Sequence, residues 1–223
     1  MPALEEGAVA LSRRQIAEIA RVLAPFASRG IPIVTTEPTA CLCMREEFLY
    51  YVDTPETRAL ARQAREIGEF LMGLHKEKKL QTGFRTLNTV FGYNQACHQK
   101  ALGIGTPGLD LVRLIPGVTA LHIDEGCCGI AGTFGMRKRN YDEAMAIGQD
   151  LFRALNDAKE GIQYGLCESS TCRMQMEHGS GKRTLHPIQV LAEAYGYPPA
   201  TPADDSWDVM DQPQASHAGA SGH

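Results

Sequence analysis

Two adjacent cysteines, Cys127 and Cys128, lie in a glycine-rich run that covers residues 124–135. Deprotonated thiols are soft ligands, which iron–sulfur clusters and zinc prefer. Glycine adopts positive φ angles at little cost and lets another group approach the backbone closely. The glycines expected to line a cofactor beside this pair are Gly126, Gly129 and Gly132. The run therefore predicts a turn that holds a metal ion or an iron–sulfur cluster.

Every cysteine between residues 86 and 198 follows a short run that is typical of a buried strand. Strands predicted at 89–93, 118–123 and 161–166 lead, in that order, to Cys97, to Cys127 with Cys128, and to Cys167 with Cys172. Because helix-like segments separate these strands, we expect a parallel sheet. Right-handed crossovers place the carboxyl ends of such strands at one edge. The five cysteines are therefore expected to converge there.

The remaining segments mostly carry helical periodicity. Helices are predicted at 11–29, 44–51, 55–75, 109–114, 141–156, 171–177 and 186–195, with a further strand at 31–36 and a connector at 76–86. Because the strand at 31–36 also leads to cysteines, the chain is predicted to hold two related units. The expected fold class is α/β, a Rossmann-like parallel-sheet module preceded by part of a second such module. The predicted divisions are 1–85 for the partial repeat, 86–198 for the complete module and 199–223 for a disordered tail.

The overall composition excludes several classes of protein. The 223 residues carry a net charge of −4, which argues against a general nucleic-acid binder. No stretch approaches the roughly 18 apolar residues that a membrane span needs, and the acidic N-terminus does not look like a secretory signal. We therefore expect a cytoplasmic protein, in which the seven cysteines are ligands or redox groups rather than disulfides.

These cysteines and their neighbours resemble the cysteine-rich CCG domain. The matching motifs are Cys97, the Cys127-Cys128-Gly129 run, Cys172-Arg173-Met174-Gln175 and His186-Pro187-Ile188. That family includes the B subunit of heterodisulfide reductase, the C subunit of anaerobic glycerol-3-phosphate dehydrogenase, the iron–sulfur subunits of glycolate and lactate oxidases, and FAD-linked oxidase/iron–sulfur fusion proteins. The run 129–135 is closest to the glycerol-3-phosphate dehydrogenase type. The resemblance covers about residues 20–197.

The resemblance implies an iron–sulfur cluster of 4Fe–4S type. Its implied ligands are Cys97, Cys127, Cys128 and Cys172. Many relatives have two cysteines separated by two residues in the last motif, whereas Ser169 takes the first of those positions here. Cys167 is therefore a further candidate ligand. No catalytic residue is assigned, because the implied role is electron transfer, from a glycerol-3-phosphate, lactate or glycolate dehydrogenase to a quinone or a thiol/disulfide acceptor.

The resemblance also implies partners and further segments. In the family the domain occurs in tandem behind a ferredoxin-like segment with two 4Fe–4S clusters, and this chain has no C-x-x-C-x-x-C run. The chain is thus expected to correspond to a C-terminal fragment. FAD is expected on another domain or on a flavoprotein dehydrogenase subunit, so this chain would not oxidise a substrate alone. Peripheral contact with the inner face of a membrane is a further expectation.

The residue types and their spacing also allow three other functions. A structural zinc module would use thiolate and imidazole ligands, although adjacent cysteines suit one zinc ion poorly. A thiol–disulfide oxidoreductase would use the adjacent pair as reactive thiols. The third alternative is a metal-free remnant of the family.

Several other residues have ordinary structural explanations. Cys41 and Cys43 are expected in a turn and the core. His98 is expected to be satisfied by a hydrogen bond and His186 to cap or pack a helix. The basic run at 137–139 is expected to form a solvated surface, with docking of an acidic partner as the alternative.

Overall fold

The computed structural model describes residues 2–198, and the predicted disordered tail, 199–223, lies outside the described residues. The helices are α1 (Pro2–Glu5), α2 (Val9–Ala27), α3 (Pro38–Leu42), α4 (Phe48–Tyr51), α5 (Pro55–Gln63), α6 (Ile67–Lys76), α7 (Cys97–Ala101), α8 (Pro107–Arg113), α9 (Tyr141–Leu155), α10 (Ser170–Ser180) and α11 (Pro187–Ala194). The strands are β1 (Ile33–Thr35), β2 (Ala64–Glu66), β3 (Thr89–Tyr93), β4 (Val118–His122), β5 (Tyr164–Leu166) and β6 (Thr184–Leu185). A π-helical turn, Cys43–Glu47, joins α3 to α4. Parallel strands that alternate with helices confirm the predicted α/β class.

A four-stranded parallel sheet with the order β4–β3–β5–β6 lies in the C-terminal part of the described chain. Its register places Tyr93, the last residue of β3, opposite both His122 of β4 and Leu166 of β5. The three strands therefore end level with one another, at the same edge. The segments that follow them carry the five candidate cysteines, so the sheet brings these segments together.

A separate two-stranded parallel sheet lies in the N-terminal part. β1 pairs with β2, so that Ile33 is opposite Ala64 and Thr35 is opposite Glu66. Helices α2 and α5 pack together beside this sheet. Their apolar contact includes Ala20 and Ala27 of α2 with Ala59 and the fully buried Leu60 of α5.

The prediction of one helix over 55–75 is wrong, because β2 interrupts it. Parallel pairing with β1 outweighs the local helical periodicity at these three residues. The N-cap signal at the start of α5 is confirmed, since Thr54 accepts a hydrogen bond from the Thr57 backbone N–H. The helix predicted at 44–51 begins earlier, at Pro38, where proline occupies the first helical position. The short elements α7 and β6 were not predicted.

The four-stranded sheet separates two apolar clusters, because alternate residues of a strand point to opposite faces. One cluster contains Phe91, Tyr93 and Leu109. The other contains Leu151, Leu155 and Met176 together with three buried cysteines, Cys128, Cys167 and Cys172. The cysteine-bearing edge is thus continuous with a packed core. No helix among residues 2–198 is long and apolar enough to cross a membrane.

Candidate functional site

The turn after β4 positions Cys127 and Cys128 by packing directly on the backbone of α9. Gly129 has φ +87°, and a Cβ atom there would lie 1.9 Å from the carbonyl oxygen of Ala144. A Cβ atom at Gly148 would lie 2.6 Å from the Cys128 carbonyl oxygen. Small residues one helical turn apart on α9 thus form a groove for the turn, and the turn needs glycine to enter it.

The three glycines predicted to line a cofactor all have positive φ angles. The angles are +90° at Gly126, +87° at Gly129 and +62° at Gly132. Ala131 also has a positive φ, +45°, which is uncommon for a residue with a side chain. Within this left-handed stretch the N–H of Gly129 points at the sulfur of Cys127.

Five cysteine thiols form a continuous chain of contacts at the sheet edge. Cys97 lies beside Cys127, Cys127 beside Cys128, Cys128 beside Cys172, and Cys172 beside Cys167. These residues come from three different strand ends and lie up to 75 positions apart in sequence. The convergence expected from the strand pattern is therefore present. We call this set the cysteine chain.

Backbone N–H groups lie beside three sulfurs of the cysteine chain. The N–H of Gly129 donates to the Cys127 sulfur at 3.3 Å. The N–H groups of Ile130 and Ser169 lie beside Cys128 and Cys167, respectively, and favour the thiolate form of each. Such donors stabilise negative charge on sulfur, and they also tune iron–sulfur clusters.

The cysteines of the chain shift one another's pKa values in opposite directions. The pKa of Cys127 is lowered by the neighbouring thiols of Cys128 and then Cys97. The pKa of Cys172 is lowered in the same way, by Cys128 and then Cys167. The pKa values of Cys97, Cys128 and Cys167 are raised by these same neighbours and by burial. Negative charge in this set is therefore favoured on Cys127 and Cys172.

Access to the cysteine chain is graded. Cys97 is exposed, Cys127 is half-buried, and the remaining three cysteines are buried. Within residues 2–198 no three His, Cys, Asp or Glu side chains surround a point as a single metal ion requires. The five cysteines nevertheless fit an iron–sulfur cluster, because a cluster needs about four thiolate ligands.

The other two cysteines lie apart, in the core beside the two-stranded sheet, as predicted. The prediction that they lie in a turn is wrong, because Cys41 belongs to α3 and Cys43 to the π-helical turn. The thiol of Cys43 donates to a carboxylate oxygen of Glu47 at 2.9 Å. Burial is the main reason that the pKa of Cys41 rises to about 11, and the same cause raises that of Cys43 to about 12. Both cysteines are therefore neutral packing residues.

The predictions for the two histidines are confirmed. His98 hydrogen-bonds Thr39 at 2.6 Å, and His186 caps α11 by accepting from the N–H of Ile188 at 3.0 Å. The basic run is exposed, as expected, and Arg137 pairs with Glu6.

A segment of the N-terminal part, residues 36–39, reaches the site and was not predicted to do so. It comprises the bend after β1 and the first two residues of α3, and we call it the turn 36–39. Its Glu37 accepts a hydrogen bond from the backbone N–H of Ser170, at the start of α10.

An internal repeat in the sequence could have pointed to Glu37. The six residues after β1 are Thr36-Glu37-Pro38-Thr39-Ala40-Cys41, and the six after β5 are Cys167-Glu168-Ser169-Ser170-Thr171-Cys172. Each set places a glutamate second and a cysteine sixth.

The second glutamate of this repeat lies in a buried polar cluster next to the cysteine chain. Glu168 is fully buried and accepts from the Tyr93 hydroxyl at 3.0 Å and from Gln99 Nε2 at 3.2 Å. Burial, followed by repulsion from Glu66, raises the pKa of Glu168 to about 8. Glu66 is also fully buried, and its Oε1 has no hydrogen-bond partner in the described part of the chain. Apart from the place of Glu168 in the repeat, these polar residues carry no sequence signal, because most of their partners are far apart along the chain.

Comparison with known proteins gives a partial match. The chain is 30% identical over 199 residues to the C subunit of anaerobic glycerol-3-phosphate dehydrogenase of Escherichia coli (strain K12). The matched region covers 87% of this chain and 48% of that protein. It is also 28% identical over 181 residues to D-2-hydroxyglutarate dehydrogenase of Pantoea ananatis (strain AJ13355). That matched region covers 81% of this chain and 17% of the relative.

The chain therefore spans about half the length, 48%, of the glycerol-3-phosphate dehydrogenase protein that it matches. No family model matches the chain. No solved structure matches it significantly. The resemblance to the glycerol-3-phosphate dehydrogenase type is supported by this similarity, whereas the resemblance to the other families stays a prediction.

Proposed function

We propose that this chain is the iron–sulfur electron-transfer part of a flavin-linked dehydrogenase. Its cluster, of 4Fe–4S type, would be bound by Cys97, Cys127, Cys128 and Cys172, with Cys167 as a fifth thiol within reach. The observation that carries the proposal is the contact of these five thiols at one sheet edge. When bound, the cluster supplies one-electron transfer.

The protein's own residues would hold and tune this group. The turn that contains Gly126, Gly129 and Gly132 brings the N–H of Gly129 to the Cys127 sulfur, where it stabilises the charge of a thiolate. Burial of Cys128, Cys167 and Cys172 keeps water away from one side. The exposed Cys97 marks the other side, which is the short path for electrons to a partner.

The partners follow from the relatives, both of which are named as dehydrogenases. The proposed donor is a flavoprotein that oxidises glycerol 3-phosphate or a hydroxy acid, assisted by a ferredoxin-like segment with two 4Fe–4S clusters. The proposed acceptor is a quinone at the membrane surface or a thiol/disulfide compound. We further propose that residues 1–85 form a partial repeat of the module 86–198, which the repeated glutamate–cysteine spacing supports.

Metal analysis of protein purified without oxygen tests this proposal. We expect about four iron and four sulfide per chain, with visible absorption. The Cys128→Ser variant should lose both, whereas Cys43→Ser, which changes a buried cysteine outside the cysteine chain, should retain them. About one zinc without sulfide would indicate the structural zinc module instead. A folded chain without metal would refute the cluster.

A thiol–disulfide oxidoreductase is a second candidate, because the exposed Cys97 contacts Cys127. The Cys127 sulfur would attack a partner's disulfide and release one thiol. Cys97 would then displace the second thiol, so that the partner is reduced and a Cys97–Cys127 disulfide forms. Mass spectrometry of metal-free protein mixed with a small disulfide distinguishes this function, since Cys97→Ser should trap the mixed disulfide at Cys127.

A further inference from the structure

The turn 36–39 contacts three separate elements around the cysteine chain. The contacts are the Thr36 carbonyl with His186 Nε2 at 2.9 Å, Glu37 Oε1 with the Ser170 N–H at 2.9 Å, and Thr39 Oγ1 with His98 Nδ1 at 2.6 Å. Of the residues contacted, His186 immediately precedes α11, Ser170 begins α10, and His98 follows Cys97. A single turn of the N-terminal part therefore ties together the segments around the cysteine chain.

The contact at α10 supplies a cap that the helix itself lacks. The side chain of Ser169, the residue before α10, accepts no hydrogen bond from a backbone N–H of the first turn, because its hydroxyl contacts Thr171 Oγ1 instead, at 3.4 Å. The first N–H groups of a helix have no partner within it, so Glu37 satisfies one of them from outside. Cys172 lies in that same first turn, two residues after Ser170.

The contact at α11 has only one hydrogen-bonding arrangement. His186 Nδ1 accepts from the N–H of Ile188, so the proton of the neutral ring is on Nε2 and is donated to the Thr36 carbonyl. Burial keeps this ring neutral by lowering its pKa to about 4. The turn is thus fixed on both sides of Glu37.

We propose that the turn 36–39 is a clamp on the site and that Glu37 is a positioning residue for Cys172. The part of this inference that concerns the cluster rests on the function proposed above. Glu37 holds the first turn of α10 and also places a negative charge within one helical turn of a proposed ligand. The clamp explains how the N-terminal part, which contributes no cysteine to the chain of thiols, shapes the site.

The positioning role is tested first in reduced, metal-free protein. Hydrogen–deuterium exchange of the amides at 170–172 should be about fivefold faster in Glu37→Ala, the effect of losing a typical cap. Alkylation of Cys172 by iodoacetamide should accelerate similarly. Glu37→Gln keeps an acceptor oxygen and should stay near the parent rate. Glu46→Gln, an exposed glutamate of the same part of the chain, is the control. Unchanged exchange in Glu37→Ala would overturn the clamp.

The charge of Glu37 is tested by the reduction potential of the cluster-loaded protein. Loss of a nearby negative charge favours the reduced form, so Glu37→Gln and Glu37→Ala should both shift the potential upwards. A purely structural role would leave Glu37→Gln at the parent potential and would refute the electrostatic part. If the parent binds no cluster, the proposed function fails, and exchange in the metal-free chain still decides the positioning role.

Discussion

His186 couples the stability of the fold to pH through one buried imidazole. Burial is the main cause that lowers its pKa from 6.5 to about 4. Between these pH values the unfolded chain binds a proton at His186 that the folded chain does not bind. The contribution of His186 to the free energy of unfolding is therefore complete above pH 6.5 and is lost as pH falls towards 4. We expect the free energy of unfolding to fall by up to about 1.4 kcal/mol per pH unit in this range.

Urea unfolding of the parent and of His186→Asn at pH 7, 5.5 and 4.5 measures this contribution. Asparagine is a good N-cap residue, so the variant keeps a cap while it loses the titrating ring. The stability advantage of the parent should shrink with acidification. His186→Ala should lose the cap as well and lie below His186→Asn at every pH. Parallel pH profiles for the parent and His186→Asn would contradict the buried neutral ring.

At the scale of an element, the turn 124–135 depends on one close backbone contact. Gly126 and Gly129 have nearly equal φ angles, +90° and +87°, but only Gly129 would bring a Cβ atom against Ala144. Gly126→Ala should therefore cost only the strain of a left-handed alanine, about 1–2 kcal/mol. Gly129→Ala should cost a further 1–3 kcal/mol or so from overpacking.

The free energy of unfolding in urea separates these two costs. The turn must also move away from α9 in Gly129→Ala, so that variant should lose the contact between Cys128 and Cys172 and alkylate faster at both. Gly126→Ala should keep parental alkylation, because open space surrounds its Cβ position. Equal destabilisation of the two variants would show that backbone strain alone makes the turn need glycine.

The sequence was sufficient for those elements whose pattern is local. Three strands and the cysteines after them could be placed because apolar runs and glycine turns occur within a few residues of each other. β2 could not be found, because its three residues are a strand only through pairing with β1. β6, with two residues, depends in the same way on β5. Glu37 was missed as a site residue because its partner, Ser170, is 133 positions away.

At the scale of the whole molecule, the N-terminal and C-terminal parts meet through small residues and buried carboxyl groups. A Cβ atom at Gly68 of α6 would lie 3.0 Å from the backbone nitrogen of Gly108 of α8. A Cβ atom at Gly108 would lie 2.2 Å from a carboxyl oxygen of Glu168. Glu66, at the end of β2, lies close enough to raise the pKa of Glu168. Close packing of the two parts therefore keeps two acidic groups out of water.

This arrangement predicts that Glu168→Gln stabilises the protein at alkaline pH. Burial raises the pKa of Glu168 from 4.5 to about 8, so between these values the folded chain holds a proton that the unfolded chain has released. The parent therefore loses stability as pH rises from 4.5 to 8, by up to about 1.4 kcal/mol per pH unit. Glutamine keeps an acceptor for the Tyr93 hydroxyl and removes the titrating group.

Urea unfolding of reduced, metal-free parent and Glu168→Gln at pH 5, 6.5 and 8 provides the measurement. The two proteins should be similar in stability at pH 5, and the variant should gain on the parent at each higher pH. Glu168→Asp retains a buried titrating carboxyl group, so it should keep the parental dependence on pH even though its shorter side chain leaves a cavity. The prediction would be contradicted if the parent gained stability relative to Glu168→Gln as pH rises. The Glu168 carboxylate would then be stabilised where the two parts meet, in spite of burial and of the repulsion from Glu66.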